Sequence, residues 1–385
     1  MKVAIVHDHL NAYGGAERVL DELHAMYPDA PVFVDLYDPT RLPPHYRTWD
    51  VRPSGLNRFK FLRRRHQPLL PVLPAVYESM NLDAYDLVIS DPSGFSKGVV
   101  TGPHTCHVSY CHSPPRFLWD YHSYADRENL GRLARGILAP MLPRLRAWDR
   151  TAADRVDYYV ATSGLVQARI DKFYRRPSAV VPPPVNAAKF QVSDADDGYY
   201  LLLMRLVGWK RPDIVVEACT RLGLPLVVAG DGREEARLRR MAGPTVRFVG
   251  RVWDDQIREL YARCRAFILP AVEDFGITPL EAMASGKPVI AVGAGGVLDT
   301  VIPGVTGEFF REQTVDDLAR TLQRFDPRGY DPARIRAHAE RFDAAAFRSR
   351  LGAEINRCVI DHQARQAGFM AGAKMPQRQP MLAAT

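Results

Sequence analysis

The chain has 385 residues, 46% of them hydrophobic, which is enough apolar material for two full cores. A formal net charge of +7 is too small to argue nucleic-acid binding, and no run reaches the roughly 20 apolar residues of a membrane span. The five cysteines (106, 111, 219, 264 and 358) are odd in number and scattered, which argues against a disulfide framework and for a reducing compartment.

Met-Lys-Val-Ala-Ile-Val-His-Asp opens the chain and meets a charge after a short apolar stretch, so it reads as a strand (Val3–Val6) and not a signal peptide. A loop with Gly14-Gly15 follows, then a helix carrying Val19, Leu20, Leu23 and Met26 on one face. Further strands are expected at Val32–Leu36, Leu87–Ser90, Cys106–Cys111 and Tyr158–Thr162. Val180–Val185, with Pro182, Pro183 and Pro184, reads as a stiff connector. The pattern then restarts with strands at Tyr199–Met204, Pro225–Ala229, Val246–Val249, Ala266–Pro270 and Val289–Val292. Helices are expected between them at Asp213–Leu222, Glu234–Met241 and Gln256–Cys264. Strands alternating with helices imply an α/β fold of two doubly wound Rossmann-like domains facing across a cleft. The expected boundaries are residues 1–184, 185–342, a helix over 343–365 that packs back across the hinge, and a disordered tail from 366 to 385.

Ligands of such folds sit at the carboxyl ends of strands, and the informative loops all follow strands. Glu273-Asp-Phe-Gly-Ile-Thr-Pro-Leu-Glu281 places two carboxylates around a helix start, with Thr278 as its expected cap and Pro279 in its first position. Free N–H groups and the positive dipole end suit a phosphate, while carboxylates suit hydroxyls, so a nucleotide sugar fits the pattern. Thr278-x-x-Glu281 is also a capping box, which would give Glu281 a structural task; Glu273 has none. Arg205 and Lys210 follow Tyr199–Met204 and are suited to a diphosphate on which negative charge grows. Gly14 and Gly15 would let a phosphate approach the first helix. Gly230-Asp231-Gly232 reads either as the wall of a base or ribose pocket or as a plain turn, and Gly293-Ala-Gly-Gly296 is a further loop of this type. His112 ends its strand where a sugar hydroxyl could be bonded. In Cys106-His-Val-Ser-Tyr-Cys-His112, strand alternation puts Cys106 and His112 on one face and His107 and Cys111 on the other, so no metal site is expected.

Two basic stretches lack acidic residues. Arg58, Lys60, Arg63, Arg64 and Arg65 lie in the first, and Arg132, Arg135, Arg144 and Arg146 in the second. Beside apolar residues they suit an anionic membrane surface, the alternative being a solvated face.

Glu273-x7-Glu281 and Arg205-x4-Lys210 resemble retaining glycosyltransferase family 4, whose fold is GT-B; the likeness covers most of the chain and is strongest over 199–310. The resemblance implies that Arg205 and Lys210 hold the donor diphosphate and that Glu281 binds the ribose. It further implies that Glu273 and the backbone of Asp274, Phe275, Gly276 and Ile277 hold the donor sugar. Gly15 would approach the diphosphate, His112 would line the sugar site from the opposite domain, residues 1–184 would bind the acceptor and 185–342 the nucleotide sugar, and no metal or other cofactor is expected. Asp8-His-Leu-Asn-Ala-Tyr-Gly-Gly-Ala-Glu17 and Tyr110-Cys-His-Ser-Pro-Pro-Arg116 are similar to a bacterial subgroup. Its members use GDP-mannose to extend polyprenyl-diphosphate-linked sugars for exported polysaccharides, at the cytoplasmic face of the membrane. Asp274 and Met204 depart from the wider family at positions near the sugar and phosphates. The same residues leave open a UDP-glucose-type hexosyltransferase, a nucleotide-sugar epimerase or a non-catalytic nucleotide-binding protein.

Overall fold

Two parallel sheets follow from short apolar strands that are buried on both faces and joined by helices. A computed structural model describes residues 1–63, 69–121, 124–125 and 131–372. The first sheet contains β1 (Val3–His7), β2 (Val32–Val34), β3 (Val51–Pro53), β4 (Leu87–Asp91), β5 (Cys106–Cys111), β6 (Tyr158–Ala161) and β7 (Ser178–Val180), in the order 3-2-1-4-5-6-7. The second contains β8 (Tyr200–Leu203), β9 (Leu226–Ala229), β10 (Val246–Gly250), β11 (Ala266–Leu269), β12 (Val289–Val292) and β13 (Gly307–Phe310), in the order 10-9-8-11-12-13. In each sheet the order reverses beside its first strand, between β1 and β4 and between β8 and β11. The crossovers there leave on opposite sides and open a crevice at the strands' carboxyl ends.

β3, β7 and β13 were not anticipated; each is an edge strand or shows few apolar residues to the sequence pattern. The strand expected over Val32–Leu36 stops at Val34. Asp35 turns the chain there, its Oδ1 accepting from the Leu36 amide at 2.5 Å.

The long last helix, Ala344–Gly372, buries Phe347, Leu351, Ile355 and Cys358 as one stripe against the core of the first domain, beside Ile5, Leu20 and Tyr110. Its chain returns through the hinge where Val185 N–H donates to the Phe342 carbonyl at 2.8 Å. Residues 366–372, expected as disordered tail, belong to this helix. Gln366 anchors that turn, bonded to His104 at 2.9 Å and to His362 at 3.2 Å. Positions 373–385 lie outside the described residues.

Of the first basic stretch, Arg58 and Lys60 are exposed next to Phe59 and Phe61, the latter 72% exposed. Arg63 is held by the Asn57 carbonyl at 2.9 Å, and Arg64 and Arg65 lie outside the described residues. In the second stretch Arg132 and Arg144 are exposed, whereas Arg135 and Arg146 donate to the carbonyls of Ala125 and Leu118.

The loops after β8 and β9 interlock. Leu206 N–H donates to Asp231 O (2.8 Å) and Glu234 N–H to Leu206 O (3.0 Å). Gly230 sits at φ +119°, and a Cβ there would meet the Met204 carbonyl oxygen at 2.0 Å. Gly230→Ala should therefore cost about 2 kcal/mol or more, combining backbone strain with a steric clash. Equilibrium denaturation should show the loss.

Candidate active site in the interdomain cleft

At the reversal point of the second sheet, the loop after β8 delivers Arg205 and Lys210 and the loop after β11 delivers Glu273. Lys210 Nζ lies 2.8 Å from Glu273 Oε1. Arg205 is exposed, carries no ion pair among the described residues, and lines the cavity between the domains with Trp209. The Trp209 ring lies under two cations, Lys210 at 5.1 Å and Arg116 of the first domain at 5.6 Å.

The helix after Glu273 begins two residues earlier than expected, spanning Ile277–Ala284 with Gly276 as its cap. Gly276 has φ +89°, which a residue with a Cβ adopts only with strain. Thr278 is therefore inside the first turn and does not cap, and Pro279 is third rather than first. No side chain caps this end, so the Ile277 and Thr278 N–H groups remain free for an anion. The expected capping box is also absent. Glu281, 5% exposed, instead places Oε1 2.6 Å from Arg18 Nη1 of the first domain and accepts from Tyr261 Oη on Oε2 at 3.2 Å. Each oxygen keeps a lone-pair direction for a further donor, so the ribose role expected of Glu281 would be shared with Arg18 and Tyr261.

Ionic and hydrogen-bonded contacts join the two domains around this loop. Asp274 is gripped by Arg116, with Nε–Oδ2 3.0 Å and Nη2–Oδ1 2.5 Å, and by Arg169. Its carbonyl accepts from Ser163 Oγ at 2.6 Å, and Asp299 accepts from the Gly164 amide at 2.7 Å. Phe275 is buried in the second domain's core. Behind the loop, a Cβ on Gly296 would lie 2.3 Å from Phe275 Cα, so the Gly293–Gly296 segment braces the acidic loop from behind.

Across the cleft, Gly15 starts the first helix and faces Ile277, whose Cδ1 would lie 3.4 Å from an added Cβ. The two helix starts thus oppose each other. The Gly14 amide is already taken by Glu17 Oε2 at 2.7 Å, which places a carboxylate where sequence reasoning put a phosphate approach. Gly230 and Gly232 serve loop packing, and the Asp231 side chain is exposed.

The first sheet delivers polar groups from four adjacent strand ends: Asp35 after β2, His7 and Asp8 at β1, Asp91 at β4 and His112 after β5. His112 Nε2 lies 2.6 Å from Asp91 Oδ1, and His7 Nδ1 lies 2.8 Å from Asp91 Oδ2. Burial works against charge on both His7 and Asp91, yet the pairing prevails. His7 is raised to about 10 by Asp91 and Glu17, and Asp91 is lowered to about 2 by His112 and His7. Asp8 is saturated differently, its two oxygens accepting from the amides of Ser93, Gly94, Phe95 and Ser96 at 2.6 to 3.0 Å. Sequence reasoning passed over Arg18, Arg169, Asp35 and Asp91. Only Asp35 and Asp91 had a readable signal, a carboxylate at the carboxyl end of an apolar strand.

Cys106 starts β5 and faces the core beside the last helix, while Cys111 faces the opposite core. Among the described residues, Cys106, Asp157 and His362 have potential ligand atoms within 4.8 Å of one another, at the end of the sheet away from the cleft.

The chain matches the family described as Glycosyltransferase Family 4 over residues 13–189 and that described as Glycosyl transferases group 1 over residues 186–340. A GDP-mannose-dependent monoacylated alpha-(1-6)-phosphatidylinositol monomannoside mannosyltransferase of Corynebacterium glutamicum is 38% identical over 35% of this chain and 41% of its own length. A GDP-mannose-dependent alpha-mannosyltransferase of Mycolicibacterium smegmatis is 30% identical over 48% of this chain and 44% of its own length. The chain thus spans about half or less of the length of these curated relatives. Among solved structures, sucrose-phosphate synthase from Thermosynechococcus elongatus is 18% identical with a TM-score of 0.72, covering 93% of this chain and 99% of that one. Anabaena HepE in complex with UDP-glucose is 18% identical with a TM-score of 0.67, covering 93% and 100%. With its two sheets, opposed reversal points and both halves matched in sequence, the chain belongs to the family 4 glycosyltransferases of GT-B fold.

Proposed function

We propose that the protein is a retaining glycosyltransferase that moves mannose from GDP-mannose to a sugar hydroxyl on a polyprenyl-diphosphate-linked acceptor. The observation that carries this reading is the Lys210–Glu273 pair, 2.8 Å apart at the reversal point of the second sheet, beside an uncapped helix start. A diphosphate there gains Lys210, Arg205 and the Ile277 and Thr278 amides as the sugar bond breaks and charge moves onto it. Glu273, relieved of Lys210 by that phosphate, accepts from donor-sugar hydroxyls. With Nε2 of His112 committed to Asp91, its Nδ1 is the nitrogen that meets the sugar from the opposite domain. The incoming hydroxyl attacks the face the diphosphate leaves, and a phosphate oxygen takes its proton. Mannose rests on the names of curated relatives, which include GDP-mannose-dependent enzymes. Exposed Phe59 and Phe61 beside Arg58 and Lys60 support contact with an anionic membrane surface, where a polyprenyl acceptor resides.

Lys210→Ala should lower the rate of GDP release from GDP-mannose at least about tenfold, the loss of ~1.4 kcal/mol of transition-state stabilisation. Unchanged turnover would remove Lys210 from the reaction. Asp91→Asn should leave the buried His7 and the half-buried His112 without their shared anion, costing about 3–5 kcal/mol. The sign with pH follows from the shifts. His7, raised from 6.5 to about 10, contributes in full below 6.5 and loses its contribution as pH climbs through 10. Asp91, lowered from 3.8 to about 2, contributes above 3.8 and loses its contribution as pH falls through 2. Denaturation midpoints of wild type and Asp91→Asn should therefore differ most between about pH 4 and 6.5, with the gap narrowing toward pH 10.

A further inference from the structure

Three potential metal ligands meet at the amino end of the first sheet, away from the cleft, and each comes from a different element. Cys106 begins β5, Asp157 stands just before β6, and His362 lies on the last helix. One ligand atom of each lies within 4.8 Å of both others. Cys106 is 2% exposed, and among the described residues no hydrogen bond reaches its Sγ. His362 Nδ1 lies 3.9 Å from Asp157 Oδ2, close enough for attraction and too far for a hydrogen bond. Asp157 is held in place by the His107 amide, which donates to Oδ2 at 2.8 Å, while Oδ1 has no hydrogen bond among the described residues.

Thiolate, imidazole and carboxylate are together a donor set for zinc, and three protein ligands leave a fourth position for water. A tetrahedral zinc sets its sulfur, nitrogen and oxygen ligands about 3.3–3.6 Å apart, so this group has to close by roughly 1.3 Å at most. Asp157 and His362 are both part-exposed, and rotation of their side chains supplies that movement without disturbing the sheet. The surroundings allow the imidazole to bind. His362 Nε2 accepts from Gln366 Nε2 at 3.2 Å, and Gln366 Oε1 bonds His104 Nδ1 at 2.9 Å. Zinc on Nδ1 puts the ring proton on Nε2. A half-turn of the Gln366 amide then offers Oε1 to that proton and its Nε2 to His104. The half-turn gives up only a bond to the exposed Pro103 carbonyl, which passes to water.

We infer that Cys106, Asp157 and His362 form a zinc site that pins the last helix to the amino end of the first sheet. That helix packs through the stripe of Phe347, Leu351, Ile355 and Cys358, and the site adds a fixed point one turn beyond it. Binding releases the thiol proton of Cys106. A metal that bridges three elements binds the folded chain and stabilises it by mass action. Strand alternation excludes a site built within Cys106–His112; this one takes Cys106 alone from that strand and gains its partners through the fold. It lies at the opposite end of the strands from the cleft and is independent of the transferase reading.

The test is titration of the full chain, stripped of metal with a chelator and kept reduced, with cobalt(II) and then zinc. Wild type should take up cobalt with a near-ultraviolet sulfur-to-cobalt charge-transfer band, and zinc should abolish the band by displacement. A large excess of magnesium should not, because it disfavours thiolate and imidazole. Cys106→Ser should lose the band. His362→Ala should weaken zinc at least about a hundredfold, the upper cost of removing even an outer partner of a metal site. His362 is part-exposed, so its alanine variant serves if the buried serine variant does not fold. Zinc at a concentration that saturates wild type should raise the thermal midpoint of wild type and not that of His362→Ala. The inference is overturned if wild type shows no thiolate band with cobalt, if the band survives in Cys106→Ser, if magnesium removes it, or if His362→Ala binds zinc as wild type does.

Discussion

The organising interaction is charge pairing around one loop. Glu273, Asp274 and Glu281 stand within nine residues at the mouth of the second sheet, and each is matched by a cation: Lys210, Arg116 with Arg169, and Arg18. Three of those four cations come from the first domain. The protein therefore neutralises the acidic loop after β11 by drawing the two domains together. The paired side chains retain partial solvent contact, so each contributes modestly to stability, but together they fix where the helix start at Ile277 points. In the proposed reaction a diphosphate would take Lys210 and Arg205, leaving Glu273 to the donor sugar while Arg116 and Arg169 keep Asp274 clamped.

The first domain contributes pre-set polarity rather than donor cations. Asp91 locks His112, and Asp8 ties down the turn at Ser93–Ser96. Asp8 spends its hydrogen-bonding capacity on four backbone amides, and Asp91 is held between two histidines, so both carboxylates are fixed by partners inside the protein. Such preorganisation is where most of the electrostatic contribution to catalysis resides.

Much of the architecture was legible because its signal is local. Strands such as Leu226–Ala229 and Val289–Val292 are unbroken apolar runs, and the restart after the Pro182–Pro184 segment marks the second domain. The helix starts at Ile277, two residues before the position its local signal indicates. A Thr-Pro pair is a strong local cap signal, but Gly276 at positive φ turned the chain first. The capping box failed for a non-local reason: Glu281 is drawn to Arg18, a partner 263 residues away in sequence. The Gly14 amide went to Glu17, a helical neighbour that the Gly-Gly pattern alone does not reveal. Arg18 and Arg169 were invisible for a like reason, since their partners Glu281 and Asp274 lie in the other domain.

The central claim is that the donor diphosphate lies where Lys210, Arg205 and the amino end of the Ile277–Ala284 helix converge. A crystal structure of the protein with GDP-mannose tests it most directly. The account predicts the β-phosphate within hydrogen-bonding distance of Lys210 Nζ and the Ile277 or Thr278 amide, with Glu273 turned from Lys210 to a sugar hydroxyl. A nucleotide bound elsewhere, or bound in the cleft with the Lys210–Glu273 pair intact and no phosphate at the helix start, would contradict it.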